Sequence, residues 1–419
     1  MKKHKIILFL LIISVFVSLF QLCGCQKSDG LSIVVISDTH FAGKETHSYE
    51  GEYLEVNDTN GSGKQMRYLD DIVDAFIDQM LEEKPDYILI TGDLTFIGAK
   101  ASHTEFSEKL SVLSEAGIKV LVIPGNHDIV SYAYIFPDGE PVETEPTTPE
   151  DFAEIYADFG YTGAISYDSD SLSYVYDTGK GAWIFMLDTN LSYGALYGKL
   201  SETTLSWLEE QLKACKEAGA VPIAAGHHNL FVHNEAFTLG YVIGNAADVK
   251  KLFNEYETEL YFSGHIHTQH IAYEDGITDI VNEAFSVYPH RYGCIILDDS
   301  GWKYESKTTD VSGYAKKIGA SDENLLNYDE YGYSFFYDNA YNQAKERLSE
   351  LVTDDKQLDA FCALSASTNV NYFGGTLSKV DVFVLDEFYE AAAGTHWGEY
   401  INNILQDRRD FIVWPQEDK

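Results

Sequence analysis

Short apolar runs that end in polar clusters recur along the chain. The run Val120–Ile123 predicts a buried parallel strand, because a strand covered on both faces shows no polar alternation. It leads into Gly125-Asn126-His127-Asp128. Four similar runs lead into Asp38-Thr39-His40, Gly92-Asp93, Gly226-His227-His228 and Gly264-His265-Ile266-His267. Ligands bind at the carboxyl ends of strands in open α/β sheets, so the pattern predicts that these side chains meet at one sheet edge.

Helical periodicity fills the segments between these strands. Apolar residues from Leu69 to Leu81 recur every three or four positions and predict an amphipathic helix that ends before Pro85. Further helices are predicted at about Ser102–Ala116 and Thr203–Ala218. The order of strands and helices indicates an α/β fold.

Two polar segments interrupt this order. Gly43–Lys64 is rich in turn-forming residues and is predicted to be an exposed loop over the site. Residues 131–150 contain four of the nine prolines and are predicted to be a loop insertion. Thr148 before Pro149 predicts an N-cap and a helix through about Phe159.

The pattern changes in the last third of the chain. Beyond His267, short alternating runs up to Lys307 predict antiparallel strands, and from residue 311 the spacing is helical. The sequence therefore predicts a signal segment at 1–24, a catalytic domain at 25–310 and an all-α helical domain at 311–419. The helical segment shows no metal-ligand spacing, and no partner for it can be named.

Charge and composition limit the classes of ligand. The net charge of −38 argues against a large surface for a nucleic-acid polymer, which needs clustered Lys and Arg. The 45% hydrophobic content suits a folded core. A small anionic substrate stays compatible with the acidity if bound metal ions reverse the field locally.

The N-terminus has the features of a targeting segment. Lysines precede the apolar stretch Ile6–Phe20, which is short for a membrane span. The following Leu22-Cys23-Gly24-Cys25 resembles a bacterial lipobox. The resemblance implies cleavage before Cys25, lipid attachment there and an extracytoplasmic, membrane-anchored protein. An uncleaved anchor and ordinary secretion remain alternatives.

The five polar clusters combine carboxylates, imidazoles and one amide. Without cysteine, this set suits two transition-metal ions such as Mn, Fe or Zn better than a structural zinc site. Asp93 would bridge the two ions, and the neutral oxygen of Asn126 would leave the centre a positive charge with which to hold a phosphate. His127 fits a general acid, and Asp128 could orient its imidazole. Either of the adjacent histidines His227 and His228 could be the ligand.

Taken singly, these residues have structural explanations: Gly-Asp is common in turns, and Asn126 and Asp128 could cap a turn. Taken together, the five motifs resemble those of the calcineurin-like metallophosphoesterase superfamily over about residues 31–308. The resemblance implies a four-layer α/β/β/α sandwich. It places one metal on Asp38, His40, His267 and Asp93, and the second on Asp93, Asn126, His227 and His265, with His127 as proton donor. His228 and Asn190 are the predicted substrate contacts.

A second, narrower resemblance concerns Phe96-Ile97-Gly98 and Ser102-His103, which look like a stretch of bacterial members similar to class III cyclic-nucleotide phosphodiesterases. Some of these members are lipoproteins with a helical C-terminal domain. The resemblance implies hydrolysis of a small phosphodiester, with cyclic nucleotides as candidates, by a metal-bound hydroxide. A phosphomonoesterase or nucleotide pyrophosphatase, and a non-catalytic lipoprotein that binds phosphorylated ligands, are the alternatives. Substrate, metal identity and oligomeric state stay open.

Overall fold

The computed structural model describes residues 30–59, 63–190 and 192–415. The lipobox-like stretch and Cys25 lie outside these residues. Among the helices that the structure describes, none is both long enough and apolar enough to span a bilayer.

The strands and helices follow in chain order. The strands are β1 Leu31–Ile36, β2 Tyr87–Ile90, β3 Lys119–Val122, β4 Ala133–Ile135, β5 Val142–Thr144, β6 Ser166–Tyr167, β7 Tyr174–Asp177, β8 Ala182–Leu187, β9 Val221–Gly226, β10 Leu260–Ser263, β11 His270–Glu274, β12 Ile277–Val281, β13 Arg291–Asp298, β14 Gly301–Thr308 and β15 Val413–Trp414. The helices are α1 Gly51–Thr59, α2 Leu69–Glu83, α3 Lys100–Glu115, α4 Pro149–Ile155, α5 Glu202–Ala218, α6 Ala246–Glu255, α7 Val311–Ile318, α8 Glu323–Leu326, α9 Tyr328–Leu348, α10 Asp355–Phe373, α11 Leu385–Ala391 and α12 His396–Leu405.

Three of the predicted strands lie side by side in the first sheet, whose order is β15-β14-β13-β1-β2-β3. β1, β2 and β3 run parallel, and Ile36 is level with Ile90, which is level with Val122. The loops that follow these three strands therefore begin at the same edge. The remaining pairs in this sheet are antiparallel, as predicted for β13 and β14.

The other two predicted strands lie in a second sheet, with the order β11-β12-β10-β9-β8-β7-β6. β9 and β10 are parallel, with Ala225 level with Phe262. The five polar clusters thus come from the edges of two sheets, where the sequence predicted one. The predicted antiparallel pairing of β11 and β12 is confirmed, but β12 also runs parallel to β10 on its other side.

Alternation along the strands of the second sheet explains the layers. Phe185 and Leu187 pack outward against Leu208 of α5 and Val249 of α6. Ile184 and Met186 face the other way and belong to the core that the two sheets share. On the far side of the first sheet, Phe76 of α2 contacts Tyr292 of β13 with ring centroids 5.7 Å apart, and α3 contributes to the same core. The predicted four-layer α/β/β/α sandwich is confirmed.

One predicted loop and one predicted helix end need correction. Gly43–Lys64 is not a loop throughout, because α1 occupies Gly51–Thr59. The helix after Thr148 ends at Ile155 rather than near Phe159, although the N-cap is confirmed: Thr148 and Asp151 form a reciprocal capping box. Residues 131–150 form an insertion that contains the small β4–β5 hairpin.

The C-terminal segment is helical from Val311 and packs on the sandwich. Cys362 of α10 is buried, and so are Cys215 and Cys294. The chain then returns to the first sheet, where the two-residue strand β15 pairs with β14. The helical segment is therefore tied to the sandwich at both of its ends.

Candidate metal centre

The backbone of the candidate centre is strained where the side chains turn inward. Five of the residues have positive φ angles of 43° to 68°, in the left-handed region that costs a non-glycine residue about 1–3 kcal/mol each: Asp38, His40, Asp93, His265 and His267. Hydrogen bonds between loops hold this conformation, including Asp38 N to Gly92 O at 3.0 Å and His40 N to Asp93 O at 2.9 Å. Such clustered strain is typical of functional sites.

Glycines let these loops approach one another. A Cβ on Gly125 would lie 2.2 Å from the amide nitrogen of Asp93, and one on Gly264 would lie 2.4 Å from Oδ2 of Asp38. Gly92 has a φ of +97°, and a Cβ there would lie 2.6 Å from Nδ1 of His227. The glycine before each of these motifs is therefore a packing requirement of the site.

One group of ligand-type atoms lies between the first and second sheets. It consists of Asp38, His40, Asp93 and His267, whose candidate ligand atoms all lie within 4.8 Å of one another. Nε2 of His267 is 3.2 Å from Oδ1 of Asp38 and 3.2 Å from Nε2 of His40. His40 is 3.9 Å from Oδ2 of Asp93.

A second group shares Asp93 and adds His227 and His265. Nε2 of His227 is 3.4 Å from Oδ2 of Asp93 and 3.1 Å from Oδ1 of Asn126. Nδ1 of His265 is 3.1 Å from the same Nε2 of His227. All seven predicted metal ligands are thus brought together around Asp93.

The chemistry of the second group fits a cation. Nδ1 of His227 lies 2.9 Å from the carbonyl of Thr91, and Nε2 of His265 lies 3.2 Å from that of Gly240. Each of these nitrogens must carry a hydrogen to bond a carbonyl, so in the neutral rings Nε2 of His227 and Nδ1 of His265 hold lone pairs. These lone pairs face each other and the oxygen of Asn126. A metal ion would satisfy all three, and the carbonyls would orient the rings.

Charge at the centre is balanced between carboxylates and imidazoles. Burial opposes ionisation of Asp93, but His227 and His127 outweigh it and hold the pKa of this carboxyl well below its usual range. Burial likewise lowers the pKa of His227, yet Asp93 reverses the effect and raises it to about 9. Without a cation, His227 therefore takes up a proton, which a bound metal would have to displace.

His127 lies beside the two groups of ligand atoms, and one of its ring nitrogens faces a backbone carbonyl. Its backbone N–H donates to Oδ1 of Asp93 at 2.8 Å, and its Nδ1 is 3.1 Å from the carbonyl of Phe96. The ring lies edge-on to that of His40, with centroids 5.0 Å apart. The ring is partly exposed, and within the described part of the chain Nε2 has no hydrogen-bond partner, so it is accessible to a ligand. This placement is compatible with the predicted role as general acid, which stays a prediction.

Asp128 forms no hydrogen bond or ion pair with the ring of His127, contrary to the prediction that it orients this imidazole. Its buried carboxylate instead accepts hydrogen bonds from the backbone N–H groups of Gly125, Leu94 and Thr95 at 2.8, 3.0 and 2.9 Å. Burial and the charge of Asp93 raise the pKa of Asp128 to about 7, against these donors. Asp128 therefore joins the loop of Asp93 to the loop of Asn126.

The two predicted substrate contacts, His228 and Asn190, form hydrogen bonds within the protein. His228 is buried, with Nδ1 2.8 Å from Thr189 Oγ1 and Nε2 3.1 Å from the carbonyl of Leu196. Its ring packs 4.5 Å from that of His265, so His227 and not His228 joins the metal-ligand group. The amide of Asn190 donates to the carbonyl of Pro124 at 3.0 Å, which ties β8 to the Asn126 loop.

The sequence did not indicate two further residues at the centre. Lys64 comes from the polar segment before α2, and its charge acts on His40 and His267. Tyr241 packs its ring 5.1 Å from that of His265. Neither lies in a motif, so only the folded chain could reveal them.

Family comparison agrees with this geometry. The model of the family "Calcineurin-like phosphoesterase" matches residues 31–269, more than half of the chain. The chain therefore belongs to the calcineurin-like phosphoesterase family, and the predicted class of metallophosphoesterase is confirmed. The model "C-terminal domain of cyclic nucleotide phosphodiesterase" matches residues 310–410.

Three curated relatives, each named as a phosphodiesterase, are similar to parts of this chain. A protein named "Probable cyclic nucleotide phosphodiesterase" from Psychrobacter arcticus is 24% identical over 49% of this chain and 66% of its own length. A 3',5'-cyclic-nucleotide phosphodiesterase from Nostoc sp. is 24% identical over 57% of this chain and 72% of its own length. A protein named "Probable glycerophosphodiester phosphodiesterase GpdQ" from Arcobacter nitrofigilis is 27% identical over 45% of this chain and 58% of its own length. The chain thus spans about three fifths to three quarters of the length of these relatives.

Proposed function

We propose that this protein is a metal-dependent phosphodiesterase acting on small phosphodiesters, with cyclic nucleotides as the first substrates to test. The observation that carries the proposal is the position of Asp93, whose carboxylate belongs to both groups of ligand atoms. A carboxylate shared in this way can hold two cations side by side. Its carboxyl also stays ionised, because its pKa is held well below the usual range against burial.

The ligand sets follow from the two groups. Asp38, His40, Asp93 and His267 would hold one ion, and Asp93, Asn126, His227 and His265 the other. Mn, Fe and Zn all accept these donors. When bound, two such ions neutralise charge on a phosphate and activate water for an in-line displacement at phosphorus.

His127 is proposed to protonate the leaving oxygen from Nε2. In the imidazolium form, the carbonyl of Phe96 accepts a hydrogen bond from Nδ1–H and fixes the ring. The hydrogen bond from its backbone N–H to Asp93 keeps the ring close to the phosphate site. A positioned histidine of this kind accelerates the reaction by about 10²–10⁴-fold.

The diester class is favoured over the monoester class by the named activities of the relatives. Two are cyclic-nucleotide phosphodiesterases by name and one is a glycerophosphodiester phosphodiesterase. Both substrate types are diesters with a single negative charge on phosphorus. The match of residues 310–410 to a C-terminal domain of cyclic nucleotide phosphodiesterase supports the same class.

Domain limits and location are further parts of the proposal. We propose that residues 1–24 are removed and that Cys25 carries a lipid, which would anchor the catalytic domain at 25–310 and the helical domain at 311–419 outside the bacterial cytoplasm. Mass analysis of the N-terminal peptide from a bacterial host tests this. A lipid-modified Cys25 supports the anchor, and an intact segment 1–24 or an unmodified N-terminus refutes it.

Hydrolysis of a chromogenic diester and the matching monoester by residues 26–419 tests the activity, after metal stripping and addition of Mn²⁺. We expect diester hydrolysis that depends on Mn²⁺. Monoester hydrolysis alone would replace the phosphodiesterase with a phosphomonoesterase, and metal binding without either activity would favour a binding protein. His127→Ala should remove turnover and leave the metal content intact, while His396→Ala, an exposed histidine of α12, serves as the matched control.

A further inference from the structure

Lys64 is held beside the candidate metal centre by its backbone. It forms an antiparallel bridge with Val287, and the N–H of the next residue, Gln65, donates to the carbonyl of Ser286 at 2.7 Å. The hydroxyl of Ser286 donates in turn to the carbonyl of Asp38 at 3.0 Å. The segment of Lys64 is therefore linked, through one residue, to the backbone of a predicted metal ligand.

The residues on either side of Lys64 both contact α9. A Cβ on Gly63 would lie 2.4 Å from the ring of Phe336, and Nε2 of Gln65 donates to the carbonyl of Gly332 at 3.2 Å. Both contacts are with α9, one helical turn apart. The charge of Lys64, by contrast, acts on the Asp93 and Asp38 carboxylates of the centre.

Burial and the neighbouring carboxylates have opposite effects on Lys64. Burial lowers the pKa of Lys64, and the carboxylates of Asp93 and Asp38 act in the opposite sense. Among the described residues, no carboxylate oxygen lies within 4.0 Å of its ammonium group. Lys64 is thus a partly buried cation beside the centre that lacks a direct ion-pair partner in the described part of the chain.

We propose that the ammonium of Lys64 binds a non-bridging oxygen of the substrate's phosphate and that α9 holds it in place for this purpose. This inference rests on the proposed function, since it assigns a substrate contact at the same centre. An ammonium close to two metal cations is repelled by them, so the arrangement becomes favourable when an anion lies between the charges. A phosphate bound to the centre is such an anion, and lysine is a common phosphate ligand.

The contact with α9 also gives the helical segment a part in substrate binding. The carboxamide of Gln65 lies between Gly332 and the hydroxyl of Tyr328, which is 3.3 Å from its Oε1. Gln65 cannot move without breaking these bonds to α9. We therefore treat Gln65 as a positioning residue for Lys64.

Binding of inorganic phosphate to the Mn²⁺-loaded protein tests the proposal without requiring turnover. Lys64→Met should weaken phosphate binding, measured by calorimetry, by about 10- to 100-fold, the range expected for one charge-assisted hydrogen bond. Lys64→Arg should restore part of it. Lys180→Met removes the same charge from an exposed site where Lys180 pairs with Asp86, and should change nothing.

The metal affinity separates this role from a structural one. Removing a cation near the centre should leave Mn²⁺ binding unchanged or tighter, whereas a loss of folding would weaken Mn²⁺ and phosphate binding together. Unchanged phosphate binding in Lys64→Met, or a parallel loss of Mn²⁺, overturns the proposal. Absence of diester hydrolysis by the unmodified protein would instead count against the proposed function, whatever the phosphate titration shows.

A double-mutant cycle tests the role of α9. Gln65→Ala should weaken phosphate binding several-fold when Lys64 is present and have no further effect in the Lys64→Met background. Additive losses would show that Gln65 does not act through Lys64 and would refute this part of the proposal.

Discussion

Asp128 offers the sharpest test of how the centre is built. The sequence suggested that Asp128 orients the imidazole of His127. In the structure its carboxylate instead accepts hydrogen bonds from three backbone N–H groups in two loops. In Asp128→Ala these buried donors lose their acceptor, at about 1–3 kcal/mol each. Because partial relaxation makes such losses less than additive, we expect the metal-free protein to lose about 3–5 kcal/mol of unfolding free energy.

The loss can be converted to a melting temperature. With an unfolding entropy of about 2.1 cal/mol/K per residue over roughly 380 ordered residues, 4 kcal/mol corresponds to about 5 °C. Thermal unfolding of the metal-free protein measures it, and Asp299→Ala, in the exposed β13–β14 turn, is the matched control. Asp128→Asn keeps one carbonyl oxygen and should lose less.

The same variant separates the two roles of Asp128. Displacement of the loops that carry Asp93 and Asn126 should also weaken Mn²⁺ binding, by about 10- to 100-fold if it resembles the loss of other outer-shell partners. If Asp128 acted on His127 instead, Asp128→Ala would melt within about 1 °C of the unmodified protein, retain its Mn²⁺ and change only the pH dependence of turnover. That result would refute the structural role.

Three further predictions concern the centre and one helix. Asp93→Ala should abolish stoichiometric binding of both metal ions by elemental analysis, whereas His40→Ala should impair mainly one, and equal losses would contradict a shared carboxylate. The pKa of His227 is raised to about 9, so its proton must leave before a metal binds. In a competition titration, Mn²⁺ affinity should therefore fall by up to tenfold for each pH unit below that value. An affinity that does not change between pH 7 and pH 9 would show that His227 is not a ligand. Thr148→Ala removes the N-cap of α4 and should reduce the free energy of unfolding by about 1 kcal/mol in denaturant titrations. Thr162→Ala is the control, and an unchanged unfolding midpoint in Thr148→Ala would contradict the prediction.

Much of the fold could be predicted because its signals are local. The helix at Leu69–Glu83 and the cap at Thr148 follow from apolar spacing and from the hydrogen-bonding capacity of one hydroxyl. The helix α1 was predicted to be part of a loop, because it carries little amphipathic pattern and the segment around it is rich in turn-forming residues. Tertiary packing of Tyr53 against Phe136 compensates for that weak helical signal.

The residues predicted as metal ligands could be named from the sequence alone. Asp, His and Asn after apolar runs, with a glycine before four of the five motifs, are a local pattern whose chemistry does not depend on knowing the fold. The sequence could not assign partners, because hydrogen bonds at the centre join loops that are far apart in the chain. The folded structure was needed to show that two sheets supply the loops, that Asp128 binds backbone amides and that Lys64 lies beside the centre. It also places His227, the histidine that the family resemblance implied, next to Asp93. The physical reason is that strand register and sheet packing set these distances, and both depend on contacts across the whole chain.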